Sequence, residues 1–281
     1  MTGQVRKRLR KFGIWRSASL VTPELAAGIE QLGFGVLWLG SSPDGDLVQA
    51  EELLAATTTL VLATSIVNMW KDPAAKVAAS FARVAGRYPD RFLLGVGAGH
   101  REATQQYARP YETLAGYVDA LRDGGVPPDG VVLAALGPKV LRLAAERTAG
   151  AIPYLVPPEH TRQARAILGP GPLLAPEQKV VLDTDPQRAR ALGRTRLRPY
   201  LGLVNYTSNL RRLGWSGDDL ADGGSDALVG MLIVHGSPGE VAAQLCRHLE
   251  AGADHVCIQL LTPPGTDPLG GYQELARALP L

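Results

Sequence analysis

Apolar runs of five to seven residues alternate with amphipathic segments along almost the whole chain. The runs are FGIWR (12–16), VLWLG (36–40), LVLATSI (60–66), RFLLGVG (91–97), VVLAAL (131–136), GAIPYLV (150–156), KVVLDTD (179–185) and HVCIQLL (255–261). Each is apolar at consecutive positions, which suits strands buried on both faces of a parallel sheet. Between them, helical spacing predicts a helix over 23–32, with Thr22 as N-cap and Gly33 as stop. Further helices are predicted over 47–56, 73–88 and 110–122, from Pro138, over 159–168, from Pro186, and over 238–251 and 272–279. Eight strand–helix repeats in 281 residues predict a (β/α)8 TIM barrel. A doubly wound sheet is the alternative, but it normally has fewer strands.

One stretch departs from the repeat. GLVNYTSNLRRLGWSGDDLADGGSDALVG (202–230) falls between the seventh and eighth strands and carries turn residues at Asn205, Gly214, Gly217 and Gly223-Gly224. In a barrel such an excursion is expected over the catalytic mouth, as a lid or a wall. The alternative is a helical insertion packed on the side. The predicted organisation is a basic N-terminal extension over 1–11, flexible and solvated, followed by one domain over 12–281.

The chain is 46% hydrophobic and 20% charged with a net charge of +2, the profile of a soluble globular protein. Much of the positive excess lies in Arg6, Lys7, Arg8, Arg10 and Lys11. No second basic face or interleaved aromatics accompany it, so nucleic acid is not an expected partner. No apolar stretch reaches the roughly 20 residues of a membrane span, and no apolar segment of a secretory signal follows the basic start. Cys246 and Cys257 are too few for a disulfide framework or a zinc site, which fits a cytoplasmic location. No metal site is expected, because His248, His255, Asp183 and Asp185 do not cluster at strand ends. A Schiff base needs a buried strand lysine, whereas Lys71 and Lys139 fall just past strand ends and Lys179 at a strand start.

The strand ends carry the remaining candidate chemistry. Gly95, Gly97 and Gly99 alternate at the end of the fourth strand, but their spacing misses the dinucleotide fingerprint and no helix opens directly after them. Alternate glycines strip one face of side chains, so a flat ring could lie there; close strand packing is the competing explanation. The third strand ends in Thr64-Ser65-Ile66-Val67-Asn68-Met69-Trp70, placing Trp70 either at the mouth or in the core. After the fifth strand, Leu136-Gly137-Pro138-Lys139 opens a helix whose free N–H groups suit an anion. The sixth strand, Gly150-Ala151-Ile152-Pro153-Tyr154, leaves room for a bulky group beside its start. A ring on one side and a phosphate on the other describe a phosphorylated flavin-type cofactor.

With these residues in view, the chain resembles the luciferase-like monooxygenase superfamily, in particular its branch that uses the deazaflavin coenzyme F420. The resemblance rests on TSIVNMW…PAAKVAASFARVAGRYPDRFLLGVGAGH (64–100), LAALGPKVLRLAAERTAGAIPYL (133–155) and AGADHVCIQLL (251–261). It implies a cis peptide at Ser65–Ile66 within a bulge that backs the ring. It also implies cofactor contacts from Ser41, Ser65, Ile66, Asn68, Gly97, Ala98, Gly99 and Tyr154, with the phosphate on Leu136, Gly137, Pro138 and Lys139. Gly40-Ser41-Ser42-Pro43 replaces the acidic residue and histidine of some deazaflavin dehydrogenases, and His100 stands where relatives carry a glutamate acid. His100 is suited to proton exchange and is the expected catalytic residue, with binding of substrate or phosphate as its alternative role; Trp70, Asn205 and Tyr206 are expected substrate contacts. The implied activity is hydride transfer between F420 and a small organic substrate. The alternatives are an FMN monooxygenase and a barrel that binds flavin without turnover. The superfamily makes a homodimer an expectation as well.

Overall fold

The computed structural model describes residue 5, residues 8–105 and residues 107–281. The strands are β1 (Phe12–Ser17), β2 (Val36–Gly40), β3 (Val61–Ser65), β4 (Val67–Asn68), β5 (Phe92–Gly97), β6 (Val131–Leu133), β7 (Gly150–Ala151), β8 (Leu173–Leu174), β9 (Glu177–Val181), β10 (Ile233–His235) and β11 (Val256–Leu260). The helices are α1 (Pro23–Gln31), α2 (Val48–Ala55), α3 (Ala74–Arg87), α4 (Pro110–Asp123), α5 (Pro138–Arg147), α6 (Pro158–Leu168), α7 (Pro186–Leu201), α8 (Val204–Arg212), α9 (Gly217–Leu220), α10 (Asp226–Leu232), α11 (Pro238–Glu250) and α12 (Leu269–Ala278). As expected, the Thr22 side chain caps α1 by accepting from Leu25 N.

The strands pair in parallel in the order β10-β9-β11-β1-β2-β3-β5-β6-β7-β8, with β4 on β5. Backbone hydrogen bonds close this sheet into the expected barrel. β8 and β9 form one stave interrupted at Ala175-Pro176. On one edge, the N–H groups of Leu173, Ala175 and Glu177 donate to the carbonyls of Ala149, Ala151 and Pro153. On the other edge, the carbonyls of Leu174, Pro176 and Val180 accept from Asp254, Cys257 and Leu261. Inward side chains such as Val36, Trp38, Val61, Ala63, Leu93, Val132 and Ile152 fill the cylinder. Their outward neighbours, Leu37, Leu39, Leu62, Leu94 and Leu133, pack under the helices. Burial on both faces explains the unbroken apolar runs.

The third strand is split at Ser65–Ile66 into β3 and β4, and the peptide there is cis, as the resemblance implies. Other expectations need correction. The seventh strand begins at Glu177 rather than 179 and ends at Val181, because Asp183 and Asp185 turn the chain: Asp183 Oδ1 accepts from Asp185 N, and Asp185 caps α7. The segment after α7 holds α8, α9 and α10 and then β10, a short strand wedged against the upper part of β9. Of residues 8–11, Arg8, Arg10 and Lys11 are exposed and Leu9 is buried. Leu9 is 2% exposed inside the base of the barrel, and the Arg10 carbonyl faces His255 Nδ1 at 3.0 Å. Arg6 and Lys7 lie outside the described residues.

The histidine at the start of the eighth stave sits on the stability face, as expected. His255 is fully buried, and its Nε2 accepts from Trp38 Nε1 at 3.1 Å. Burial holds its pKa down at about 4. Among the described residues, no helix is long and apolar enough to cross a membrane.

Candidate active site

The C-terminal ends of the staves open onto a cavity of 520 Å³, the size of a small-molecule site. On one side, Ser65 and Ile66 of the split third stave and Ala98, Gly99 and His100 beyond β5 face into it. Ser41 and Ser42 join them from the end of β2, both with left-handed backbone. The opposite wall is Ala134–Gly137 and Val140, at the start of α5. Tyr154 and Tyr200 form part of the base, and Val204, Asn205, Tyr206, Ser208 and Arg212 of α8 line the remaining side. The 202–230 excursion therefore does supply a wall of the mouth.

The alternating glycines have a different role from the expected one. A methyl group at Gly95 would collide with the Thr64 carbonyl oxygen, and one at Gly97 would meet Ala134 Cβ at 2.9 Å and Ile66 Cγ1 at 3.2 Å. At Gly99, where φ is +59°, the obstacle would be Asn68 Nδ2 at 2.7 Å. All three make room for the break in the third stave. Thr64 locks that arrangement, since its Oγ1 donates to Gly95 O and accepts from Gly95 N, both at 2.8 Å. Close strand packing thus accounts for Gly95 and Gly97, which do not line the cavity. What does face it is the break itself, together with Ala98 and Gly99.

Five of the expected contact residues are displaced from the lining. Trp70 sits behind the wall, where its Nε1 donates to the Ala98 carbonyl at 2.8 Å and its ring packs against Tyr107. Asn68 lies beneath Gly99, and its Oδ1 accepts from Trp70 N at 3.0 Å. Gly97 serves as described above. Pro138 and Lys139 begin α5 but are exposed outside the cavity. The cation near this helix start is instead Arg212, whose Nη2 would be 3.8 Å from a methyl at Gly137 and donates to Asn209 Oδ1 at 3.1 Å. Behind the same wall, His160 Nε2 is 2.9 Å from the Leu136 carbonyl. Burial lowers the His160 pKa, and nearby Arg212 lowers it further.

Sequence reasoning also missed the base of the site. The Trp15 indole lies over Gly40, where any side chain would overlap its ring, and its Nε1 donates to Ser65 Oγ at 3.0 Å. Its ring centroid is 5.4 Å from that of Tyr154. The Tyr154 hydroxyl donates to Gln259 Oε1 at 2.9 Å and lies 2.9 Å from the Tyr200 hydroxyl. Below them, Lys179 is mid-strand and 1% exposed rather than at a strand start. Its Nζ is 3.0 Å from Glu177 Oε1 and 3.8 Å from the centre of the Tyr154 ring. Burial draws the ammonium pKa down while Glu177 beside it pulls it back up. Sheathed by Tyr154 and absent from the lining, Lys179 is placed to support the aromatic base, not to attack a carbonyl. Nothing in the sequence points to Trp15, since Gly40 pairs with Ser17 in the ladder and the indole reaches it from two residues back; nor does anything distinguish Arg212 from Arg211 beside it.

His100 occupies the junction between the β5 end and α8. It is half-buried, and the Tyr206 ring lies 5.5 Å away at 48°. Desolvation pulls its pKa down, opposed by Asn205 and by the charge of Glu102. Glu102 Oε1 accepts from Val204 N at 3.0 Å, which caps α8. No group of three or more metal-binding side chains occurs among the described residues.

Comparison with known proteins bears on this arrangement at two levels. A family model described as luciferase-like monooxygenase matches residues 21–124, the stretch that includes the split third stave and the glycine-rich end of β5. Over the whole chain the fold is similar to that of an F420-dependent secondary alcohol dehydrogenase solved with an F420-acetone adduct. That pair shares 17% identity and a TM-score of 0.75, covering 96% of this chain and 98% of the other. It is also similar to the coenzyme F420-dependent tetrahydromethanopterin reductase from Methanopyrus kandleri (13%, 0.70, covering 96% and 98%). A third similar structure is the oxygenating constituent of 3,6-diketocamphane monooxygenase from the CAM plasmid of Pseudomonas putida, solved with FMN (15%, 0.65, covering 95% and 96%). At these identities the likeness is one of fold. No curated protein matches in sequence.

Proposed function

We propose, from the premise of a luciferase-like oxidoreductase barrel, that this chain is a cytoplasmic enzyme that moves a hydride between coenzyme F420 and a small organic substrate. The observation that carries the reading is the pairing of two walls. On one, the Ser65–Ile66 break and the Ala98–Gly99 backbone offer a low surface for a flat ring; on the other, the start of α5 and Arg212 offer donors and charge for a phosphate. The deazaflavin is put ahead of a flavin on the motif resemblance of residues 64–100, 133–155 and 251–261; the fold itself is shared with both F420-dependent and FMN-bound proteins.

Ser41, Ser65, Ile66, Ala98 and Gly99 would hold the ring, and Leu136, Gly137 and Arg212 the phosphate. Once bound, the cofactor supplies the hydride acceptor or donor. The chain's own contribution is binding, orientation and dryness. Trp15, Ile66 and Tyr154 keep water from the base, and Tyr107, Tyr111 and Leu114 present an apolar outer wall. A substrate oxygen reaching His100 would meet a neutral imidazole able to accept its proton during oxidation and to return it during reduction. Tyr206 packs on that ring and holds its plane.

The test is titration of the purified chain with F420 and, separately, with FMN, following quenching of cofactor fluorescence. At least tenfold tighter binding of F420, with reduction of F420 by candidate alcohols, is the expected result. Preference for FMN would overturn the cofactor assignment and support the monooxygenase reading. Binding of F420 with no redox change across a panel of alcohols and ketones would support a barrel that only binds.

A further inference from the structure

His100 Nδ1 and Asn205 Oδ1 are both sealed from solvent, and neither makes a hydrogen bond within the geometric limits met elsewhere in the structure. They sit on two elements that are clasped together. Val204, immediately before Asn205, donates its N–H to Glu102 Oε1 at 3.0 Å, and Tyr206, immediately after it, packs its ring against His100. Asn205 therefore stands between the two contacts that clasp α8 to the His100 segment, and both residues line the cavity.

An amide oxygen only accepts, so a nitrogen that satisfies it must carry the proton. That requirement decides the tautomer. We infer that Asn205 is a positioning residue: its Oδ1 receives the Nδ1–H of His100, which fixes the ring and leaves Nε2 unprotonated toward the cavity. The influence of Asn205 in raising the His100 pKa agrees with this contact. Asn205 then acts through His100 instead of touching the substrate, which revises its expected role. The chemistry done by Nε2 rests on the function proposed above; the orientation of the ring does not.

The titratable and charged groups around the imidazole are Arg101 and Glu102 on its own segment and Tyr206 and Arg212 on α8. Tyr107, Tyr111, Tyr154 and Tyr200 stand on the other walls. Of these, Glu102 raises the proton affinity of the ring.

Long-range proton–nitrogen correlation NMR of the ¹⁵N-labelled full chain, without ligand, tests the assignment. The His100 signal is identified by its loss in His100→Gln. The neutral ring is expected to show a protonated Nδ1 and a bare Nε2. Asn205→Asp, which keeps the acceptor and adds a charge, should raise the His100 proton affinity about tenfold or more. Asn205→Leu should abolish the preference for protonated Nδ1. A wild-type ring protonated on Nε2, or a tautomer unmoved by Asn205→Leu, would overturn the proposal. If the leucine variant does not fold, the wild-type spectrum and Asn205→Asp decide. Because no cofactor is present, these results are independent of the F420 and FMN titrations.

Discussion

A methyl group added at Gly97 probes the packing on which the ring wall depends. Its Cβ would lie 2.9 Å from Ala134 Cβ and 3.2 Å from Ile66 Cγ1, where ordinary carbon contacts lie at about 3.5–4.0 Å. Neither neighbour can step aside: alanine has no rotamer to change, and isoleucine is stiff at χ1. A stave must shift instead, at a cost of about 1–3 kcal/mol. Removing the closer obstacle with Ala134→Gly should itself cost about 0.5–1 kcal/mol through added chain entropy. In the double variant the new methyl occupies space the old one vacated, so the pair should be about 1 kcal/mol more stable than the sum of the singles. Urea unfolding followed through the fluorescence of the four tryptophans measures all three variants, with a common slope as the check on comparability. Gly95→Ala is the severe member of the series. It strikes backbone and disturbs both Thr64 hydrogen bonds, so it should cost about 3 kcal/mol or more. A Gly97→Ala variant as stable as the parent, or a double variant no better than additive, would refute the view that these glycines exist to receive the split third stave.

Three further outcomes follow from the same geometry. Arg212→Ala should weaken binding of a phosphate-bearing cofactor about tenfold, with a smaller salt dependence, while Lys139→Ala leaves binding unchanged; fluorescence titration at two salt concentrations compares them. Lys179→Met strands the buried Glu177 carboxylate and should cost about 3–5 kcal/mol, whereas Lys179→Met with Glu177→Gln should recover most of it, as thermal unfolding would report. Stability should also fall on mild acidification. His255 and His248 have folded pKa values of about 4 and about 3 against an ordinary 6.5. The unfolded chain therefore binds protons first as the pH drops below 6.5, and stability declines until the folded pKa values are passed. At pH 5 this amounts to about 2 kcal/mol for each histidine relative to pH 7.5, measurable by urea unfolding at the two pH values. Replacing His255 by Gln should remove its share of that slope.

The barrel was readable in the linear pattern because the signal is local and repeated. A stave covered on both faces must be apolar at consecutive positions, and each helix must offer one apolar stripe, so Val61–Ser65 and Ala74–Arg87 announce themselves without reference to anything distant. The break at Ser65–Ile66 and the placement of His100 at the mouth were legible through motif resemblance, and that of Tyr206 through its place in the 202–230 excursion. The identities of the partners were not. Whether an alternating glycine faces a ligand or a neighbouring stave depends on what stands across from it, and for Gly95 and Gly97 that is Thr64, Ile66 and Ala134. Likewise, Lys139 and Arg212 offer the same charge, but only the second comes back across the mouth to the start of α5, carried there by a helix some 70 residues later in the chain. Lys179 read as a strand boundary and proved to be a buried cation, since the register of β9 against β11 and β10 decides its depth. Periodicity records how much of a residue is covered, which short-range spacing sets. What covers it is chosen by long-range pairing, and that choice exists only once the cylinder closes.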